Sequence, residues 1–201
     1  MRHHRVQNVP ALMATMLVAL LAAAAPQPAV AGDNPGTIAF LATMKTLGES
    51  GGEFRRWRIT RAVIDEAHPE RSEVDVEVDL ASVDTGIEER DIHLRGEKFF
   101  DVDRYPVAKA TLRNARIEDA SHFTVDVTLD LHGTTRTFPM RFAIADRDAR
   151  KITSQIVIRR TDYGVGPEMG WWNPMNIKED VSVSVAAVVP ASGAPVAVSG
   201  R

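Results

Sequence analysis

The stretch FTVDVTLDL, residues 123–131, alternates apolar and polar side chains over its whole length. Successive side chains of a β-strand point to opposite faces of the sheet, so this segment has one dry face and one wet face. A helix would scatter the same apolar residues around its axis, so the pattern indicates a strand. The predicted dry face consists of Phe123, Val125, Val127, Leu129 and Leu131.

Seven further segments have strand patterns, and three of them show the same strict alternation. The three are SEVDVEVDL (72–80), FPMRFAI (138–144) and VSVSVAAVV (181–189), and the weaker four are GTIAFLATM (36–44), FRRWRITRAVI (54–64), AKATLRNARI (108–117) and KITSQIVIRR (151–160). The glycine-rich GESGGE (48–53) is expected to form the turn of an opening hairpin. These segments predict an all-β domain of about eight antiparallel strands, arranged as a sandwich or a closed barrel. An eight-stranded barrel has an interior large enough for packed side chains or for one small ligand.

Residues 84–98 break the strand pattern and predict a short, polar helical segment. Asp84 or Thr85 can cap its N-terminus, and Gly96 suits its C-terminal end. The connector that follows, 99–106, contains two adjacent phenylalanines and a tyrosine in a chain with only 6% aromatic residues. We interpret the segment as a lid whose aromatic end closes a hollow interior.

The first 31 residues are predicted to be a signal peptide. Arg2 and Arg5 precede an apolar run at 11–25, and the sequence AVA at 29–31 fits a signal-peptidase site. The alternative is an uncleaved membrane anchor, but the run is shorter than the roughly 18–20 residues of a spanning helix. We therefore expect a periplasmic or secreted protein with one domain at 32–190 and a flexible C-terminal tail at 191–201.

The charge and cysteine content restrict the class of protein. The predicted signal peptide contains two arginines and no acidic residues, so the remaining chain has a net charge of 22 − 27 = −5. Binding to nucleic acid depends on clustered Lys and Arg, and this mildly acidic chain is not expected to bind it. The sequence contains no cysteine, so the exported domain must be stabilised by its own core.

No catalytic constellation stands out in the sequence. His68, His93, His122 and His132 lack a second ligand at a metal-binding spacing, so no metal site is predicted. The chain has no GxSxG motif for a nucleophilic serine, and GVGPEMG (164–170) lacks the lysine of a phosphate-binding loop. We expect a protein that is not an enzyme and has no catalytic cofactor.

The aromatic residues are the informative group, because they are spread over most of the predicted strands and connectors. They fill a core or line an apolar pocket, and periodicity does not distinguish these alternatives. Adjacent tryptophans in GWWNPMN (170–176) cannot both enter one core, so one must face a partner, a ligand or solvent. The candidate pocket-lining residues are Phe40, Trp57, Phe100, Phe123, Phe142, Tyr163, Trp171 and Trp172.

Three phrases occur together in the order typical of one family. They are DLASVDTGIEERDIHLRGEKFFDVDRYPVAKATL (79–112), LDLHGTTRTFPMRF (129–142) and RRTDYGVG (159–166). With the opening GEFRRWRITRAVID (52–65), they resemble the YceI-like family of exported polyisoprenoid-binding proteins over about 36–189. Tyr163 departs from the common phenylalanine of the third phrase, and the usual N-terminal phrase is absent.

The resemblance implies an eight-stranded antiparallel lipocalin-like barrel with a short helical segment. It also implies a bound isoprenoid lipid, either a polyprenyl phosphate or a quinone, with its tail inside the barrel. Arg90 is the candidate for contact with the head group, and Arg95, Arg159 and Arg160 are weaker candidates.

A second hypothesis comes from the similarity of the opening phrase to a subgroup that accompanies cytochrome b561-type membrane proteins. In that hypothesis the protein is a non-enzymatic interaction module that supports a membrane redox partner, and side chains fill its barrel. The sequence leaves the oligomeric state and the length of the isoprenoid open.

Overall fold

The computed structural model describes residues 34–44, 48–167 and 177–191. These residues form one ten-stranded antiparallel sheet with one short α-helix, which confirms the predicted all-β class. The strand bounds are Gly36–Met44 (β1), Gly48–Phe54 (β2), Trp57–Val63 (β3), Glu73–Asp79 (β4), Val83–Asp84 (β5), Val107–Ile117 (β6), His122–Leu131 (β7), Thr134–Asp146 (β8), Lys151–Arg159 (β9) and Ile177–Val188 (β10), and the helix α1 is Glu88–Arg95. The predicted signal peptide and almost all of the predicted tail lie outside these residues.

The sheet has the strand order β3-β4-β6-β7-β8-β9-β10-β1-β2-β5. It curls until β3, at one edge, packs against β10 and β1, where Trp57 and Ile59 contact Ala187 and its neighbours. Two hydrogen bonds between Asn34 and Trp57 continue this contact. The Asn34 backbone N–H donates to the Trp57 carbonyl (2.9 Å), and the Asn34 side-chain Oδ1 accepts from the Trp57 backbone N–H (3.0 Å). In the described residues, side-chain packing and these bonds, rather than a strand ladder, complete the half-barrel.

The structure has two more strands than the eight predicted, and one of them occupies the expected hairpin turn. Gly48–Phe54 is a strand that pairs with β1, while β3 pairs with β4. The glycines allow close packing, because a Cβ on Gly52 would lie 2.5 Å from Cζ of Phe40. Glycine in a strand therefore marks a close approach here and not a turn. The other additional strand, β5, is only two residues long.

The inner face of the sheet is the one predicted from the alternation. Val125, Val127, Met140 and Phe142 form a buried cluster on β7 and β8. The outer face is wet and carries ion pairs between neighbouring strands, such as Arg116 with Asp126 (2.7 Å). The alternation of apolar and polar residues along the strands therefore identified which side chains are buried when the sheet curls.

The helix α1 lies within the predicted segment and ends at Gly96 as predicted, but neither predicted N-cap, Asp84 or Thr85, occupies the N-cap position. Ile87 occupies the N-cap position, and no side chain caps it. Instead the buried Asp91 accepts hydrogen bonds from the Thr85 N–H (2.9 Å) and the Thr85 hydroxyl (2.6 Å). This pair holds the preceding loop against the helix.

Asp126 provides a test of how the outer face responds to acid. Its hydrogen bonds with Arg116 and Asn114 lower the pKa of the carboxyl group below its ordinary value. A carboxyl group whose pKa is lower in the folded state than in the unfolded state stabilises the folded protein at pH values above its ordinary pKa of about 4. This stabilisation is lost as the pH falls through the folded-state pKa. We expect Asp126→Asn to lower the urea midpoint at pH 7 and to approach the wild-type midpoint at pH 3. A difference that is equal at both pH values would contradict this role.

Candidate functional site

The curled sheet encloses a cavity of about 850 Å³. This volume lies within the roughly 300–1,000 Å³ of pockets that bind small ligands. Its wall contains every residue of the predicted dry face of β7, together with the inward residues of the neighbouring strands. The cavity is therefore the space that one layer of strands leaves between its own apolar side chains.

Five of the predicted pocket residues line this cavity: Phe40, Trp57, Phe100, Phe123 and Phe142. Trp57 is only 4% exposed, and its indole N–H donates to the Gly36 carbonyl (3.2 Å), which fixes the ring between β3 and β1. Trp171 and Trp172 lie outside the described residues. That these aromatic residues contact a ligand stays a prediction.

Aromatic rings form a continuous wall at the end of the cavity beside α1. The ring centroids of Phe40 and Phe54 are 5.7 Å apart, and those of Phe54 and Phe100 are also 5.7 Å apart. Leu94 and Phe99 line the same region, so the helix and its connector contribute apolar side chains to the cavity. Neither Phe54 nor Leu94 was among the predicted pocket-lining residues.

Tyr163 and Arg90 are not among the cavity-lining residues of the described chain. Tyr163 is 3% exposed, and burial raises the pKa of its hydroxyl. Arg90 Nε donates to the Thr85 hydroxyl (2.8 Å), its Nη2 donates to the Thr85 carbonyl (3.0 Å), and its Nη1 donates to the Ser50 hydroxyl. These bonds connect the helix to β2, so Arg90 holds the helix in place, and its contact with a lipid head group stays a prediction.

Arg160 does line the cavity, but backbone carbonyl groups occupy most of its donors. Its guanidinium donates to the carbonyl groups of Val165, Pro167, Ile177 and Lys178 at 2.8–3.2 Å. The residue is 6% exposed, and burial lowers the pKa of the guanidinium from its ordinary value. The arrangement anchors the loop after β9 to the start of β10.

The opposite end of the cavity is lined by charged residues of three loops. Arg147 donates to the Ala120 carbonyl, and Arg150 pairs with Glu66 across 3.6 Å. These contacts join the loops β6–β7, β8–β9 and β3–β4 around the end of the barrel. Asp65 and Asp119 also lie in this lining. No sequence motif had indicated this cluster, because its members are far apart in the chain.

No group of three or more His, Cys, Asp or Glu side chains in the described residues is placed to hold a metal ion. No helix among them is long and apolar enough to cross a membrane.

A single antiparallel sheet curled around an apolar cavity defines a barrel-like protein of the lipocalin-like class. Residues 34–189 match the YceI-like domain family. The chain belongs to the YceI-like family, as its sequence phrases predicted.

Curated relatives match only part of the chain. A UPF0312 protein of Pseudomonas savastanoi pv. phaseolicola is 39% identical over 87 residues, which is 42% of this chain and 44% of the relative. A UPF0312 protein of Azotobacter vinelandii is 29% identical over 133 residues, which is 62% of this chain and 67% of the relative. The first of these matches thus spans less than half of the relative's length.

Solved structures show the same fold at low sequence identity. BcnA of Burkholderia cenocepacia has a TM-score of 0.65 and 19% identity over 75% of this chain and 93% of its own. A polyisoprenoid binding domain from Saccharophagus degradans has a TM-score of 0.58 and 22% identity over 77% of this chain and 93% of its own.

The adjacent arginines 159 and 160 allow a matched test of structural role. Arg160→Met would leave buried carbonyl groups without donors, so we expect a loss of about 3 kcal/mol in the free energy of unfolding. Arg159 pairs with Glu179 at the exposed surface, so we expect Arg159→Met to lower the free energy of unfolding far less than Arg160→Met does. Urea titration measures both values. Equal losses in the two variants would contradict the structural role of Arg160.

Proposed function

We propose that this protein binds a long-chain isoprenoid lipid inside the cavity and acts as an exported carrier or sequestering protein. The cavity of about 850 Å³ is the observation on which this proposal depends. The lipid is a polyprenyl phosphate or a quinone with an isoprenoid tail. The protein acts by binding and not by catalysis.

The comparisons support this proposal at the level of the family. The Saccharophagus degradans neighbour is a polyisoprenoid binding domain with the same fold. The signal-peptide pattern in residues 1–31 supports export to the periplasm or beyond. A carrier in that compartment can take an isoprenoid lipid from a membrane without an intracellular partner.

The physical basis of binding is the apolar area that the lipid removes from water. Burial of apolar surface contributes about 25 cal/mol per Å², or about 0.8 kcal/mol for each methylene-sized group. A tail of several isoprene units can gain on the order of 10 kcal/mol before the costs of association and ordering are subtracted. The remaining affinity suits a carrier that must also release its lipid.

The cavity also weighs against the second hypothesis, a redox-partner module with a filled barrel. Phe123 and Phe142 stack with centroids 5.4 Å apart, yet they lie along the cavity wall and do not fill its centre. Small residues such as Ala108 and Ala110 face the same space and leave it open. Association with a membrane redox protein is compatible with lipid binding.

The proposal predicts that protein purified from the cell envelope retains a lipid. Native mass spectrometry should show a mass above that of the polypeptide, and the added mass should identify the head group as phosphate or quinone. A clean polypeptide mass that persists after incubation with a C20 isoprenoid alcohol in phosphatidylcholine vesicles would contradict the proposal.

A cavity-filling substitution tests whether the lipid lies inside the barrel. Ala110 faces the cavity, whereas its neighbour Lys109 is exposed on the outer face of the same strand. We expect Ala110→Phe to reduce the retained C20 alcohol by at least about tenfold, since each ring carbon occupies space that the tail needs. Lys109→Phe, the matched control, should retain it within about twofold. Equal retention by both variants would place the lipid elsewhere.

A further inference from the structure

The barrel wall contains a break between two strands that are neighbours in the sheet. β8 pairs with β7 from Thr134 to Ala143, and β9 pairs with β10 along its whole length. In the described residues, however, β8 and β9 pair only from Ala143 and Thr153 to Asp146 and Lys151. Residues 137–141 of β8 and 155–159 of β9 therefore have no ladder between them. We call this break the β8–β9 gap.

Contacts bound the gap at both of its ends. At one end the Ser154 hydroxyl donates to the Arg141 carbonyl (2.5 Å), just before the ladder begins. At the other end Arg136 Nε donates to the Asp162 carbonyl (3.1 Å), in the 3-10 turn Arg160–Tyr163. The five unpaired residues between these contacts span roughly 17 Å at about 3.4 Å per residue. The break is thus a bounded window and not a frayed end.

Pro139 gives a local physical reason for the break. It lies in the middle of the unpaired part of β8, opposite Asp126 of β7. Proline has no backbone N–H, so within a sheet it is tolerated where the strand side lacks a partner. An extension of the β8–β9 register would place Pro139 opposite Val157, which is 59% exposed.

The gap has apolar residues on the inner face of the wall, while its outer face carries Pro139 and the exposed Val157 among polar residues. Phe138, Met140, Ile156 and Ile158 line the cavity on the inner side. On the outer side an open groove of about 530 Å³ crosses β8, β9, β10 and β1, and it shares Phe142 and Val185 with the cavity lining. The groove begins where the ladder between β8 and β9 ends, so groove, gap and cavity are neighbours.

The two ends of the barrel are poorer routes for an apolar chain. At one end an approaching tail meets the ion pair of Arg150 with Glu66 and the Arg147 contact that connect the loops. At the other end the packed rings of Phe54 and Phe100 line the cavity beside the loop held by Arg160. Passage there would break charged or packed contacts, whereas the gap has no backbone ladder to break.

We propose that the β8–β9 gap is the lateral entrance through which an isoprenoid chain passes between the outer groove and the cavity. The proposal rests on lipid binding in the cavity, and it adds the route and the strands that must separate. On the inner side of the gap the chain would meet the apolar side chains of Met140 and Ile156, and it would have no ladder hydrogen bonds to break there.

Because the chain lacks cysteine, an engineered pair can close the gap selectively. Pro139→Cys with Val157→Cys would join β8 to β9 when oxidised. The matched control, Val157→Cys with Ser182→Cys, joins β9 to β10, which already pair at these two positions. The measurement is the rate at which a C20 isoprenoid alcohol moves from phosphatidylcholine vesicles into lipid-free protein, followed by native mass spectrometry.

We expect oxidation of the first pair to slow uptake at least about tenfold and reduction to restore it, while the control pair changes the rate less than twofold. Unchanged uptake with the disulfide formed would overturn the proposal. If the reduced protein takes up no lipid at all, the proposed function fails first, so the two failures are distinguishable.

A second variant covers the case in which the disulfide does not form. Val157→Cys is labelled with a bulky sulfonated maleimide, and Val107→Cys, on the outer face of β6, receives the same label as the control. Slower uptake only with the label at position 157, at equal final occupancy, would support the gap as the entrance. Equal rates for both labelled proteins would overturn it.

Discussion

The structure depends on one constraint: a single sheet with one apolar face has no second layer against which to bury that face. Curling brings the apolar side chains toward each other and removes them from water, which is the dominant favourable term in folding. A sheet of ten strands curls too widely for valines and alanines to meet at the centre, and a cavity of about 850 Å³ remains. The proposed lipid would complete the burial that the protein begins.

The polar groups around the cavity follow from the same constraint. Where a strand or helix ends, its backbone N–H and carbonyl groups need other hydrogen-bond partners. Arg160 donates to four carbonyl groups where β9 leaves the sheet and β10 enters it. Asp91 and Arg90 have a similar role at the helix, because both side chains form hydrogen bonds with the Thr85 hydroxyl and hold the preceding loop in place. Asp91 and Arg160 are buried and Arg90 is half-buried, and these contacts account for their positions without a ligand.

The wall is also uneven, and this has consequences for how a guest would enter. In the described residues, nine pairs of neighbouring strands share a hydrogen-bonded ladder. The ladder between β8 and β9 is short, because it runs only from Ala143 and Thr153 to Asp146 and Lys151. Pro139 lies outside this ladder and has no N–H to donate toward β9. In the proposed route this proline leaves one side of the wall without a ladder, while the other strand pairs keep the enclosure stable.

The sequence alone determined most local features: eight of the ten strands, the helix and the face of each of those strands that leaves water. Alternation is a property of neighbouring residues, so Phe123, Phe142 and their neighbours could be assigned to the interior. Only the tertiary structure decided which interior residues border open space, why GESGGE is a strand beside Phe40, and where Arg90 and Arg160 direct their donors. These depend on residues far apart in the chain that meet when the sheet curls, and no local pattern records the distance between them.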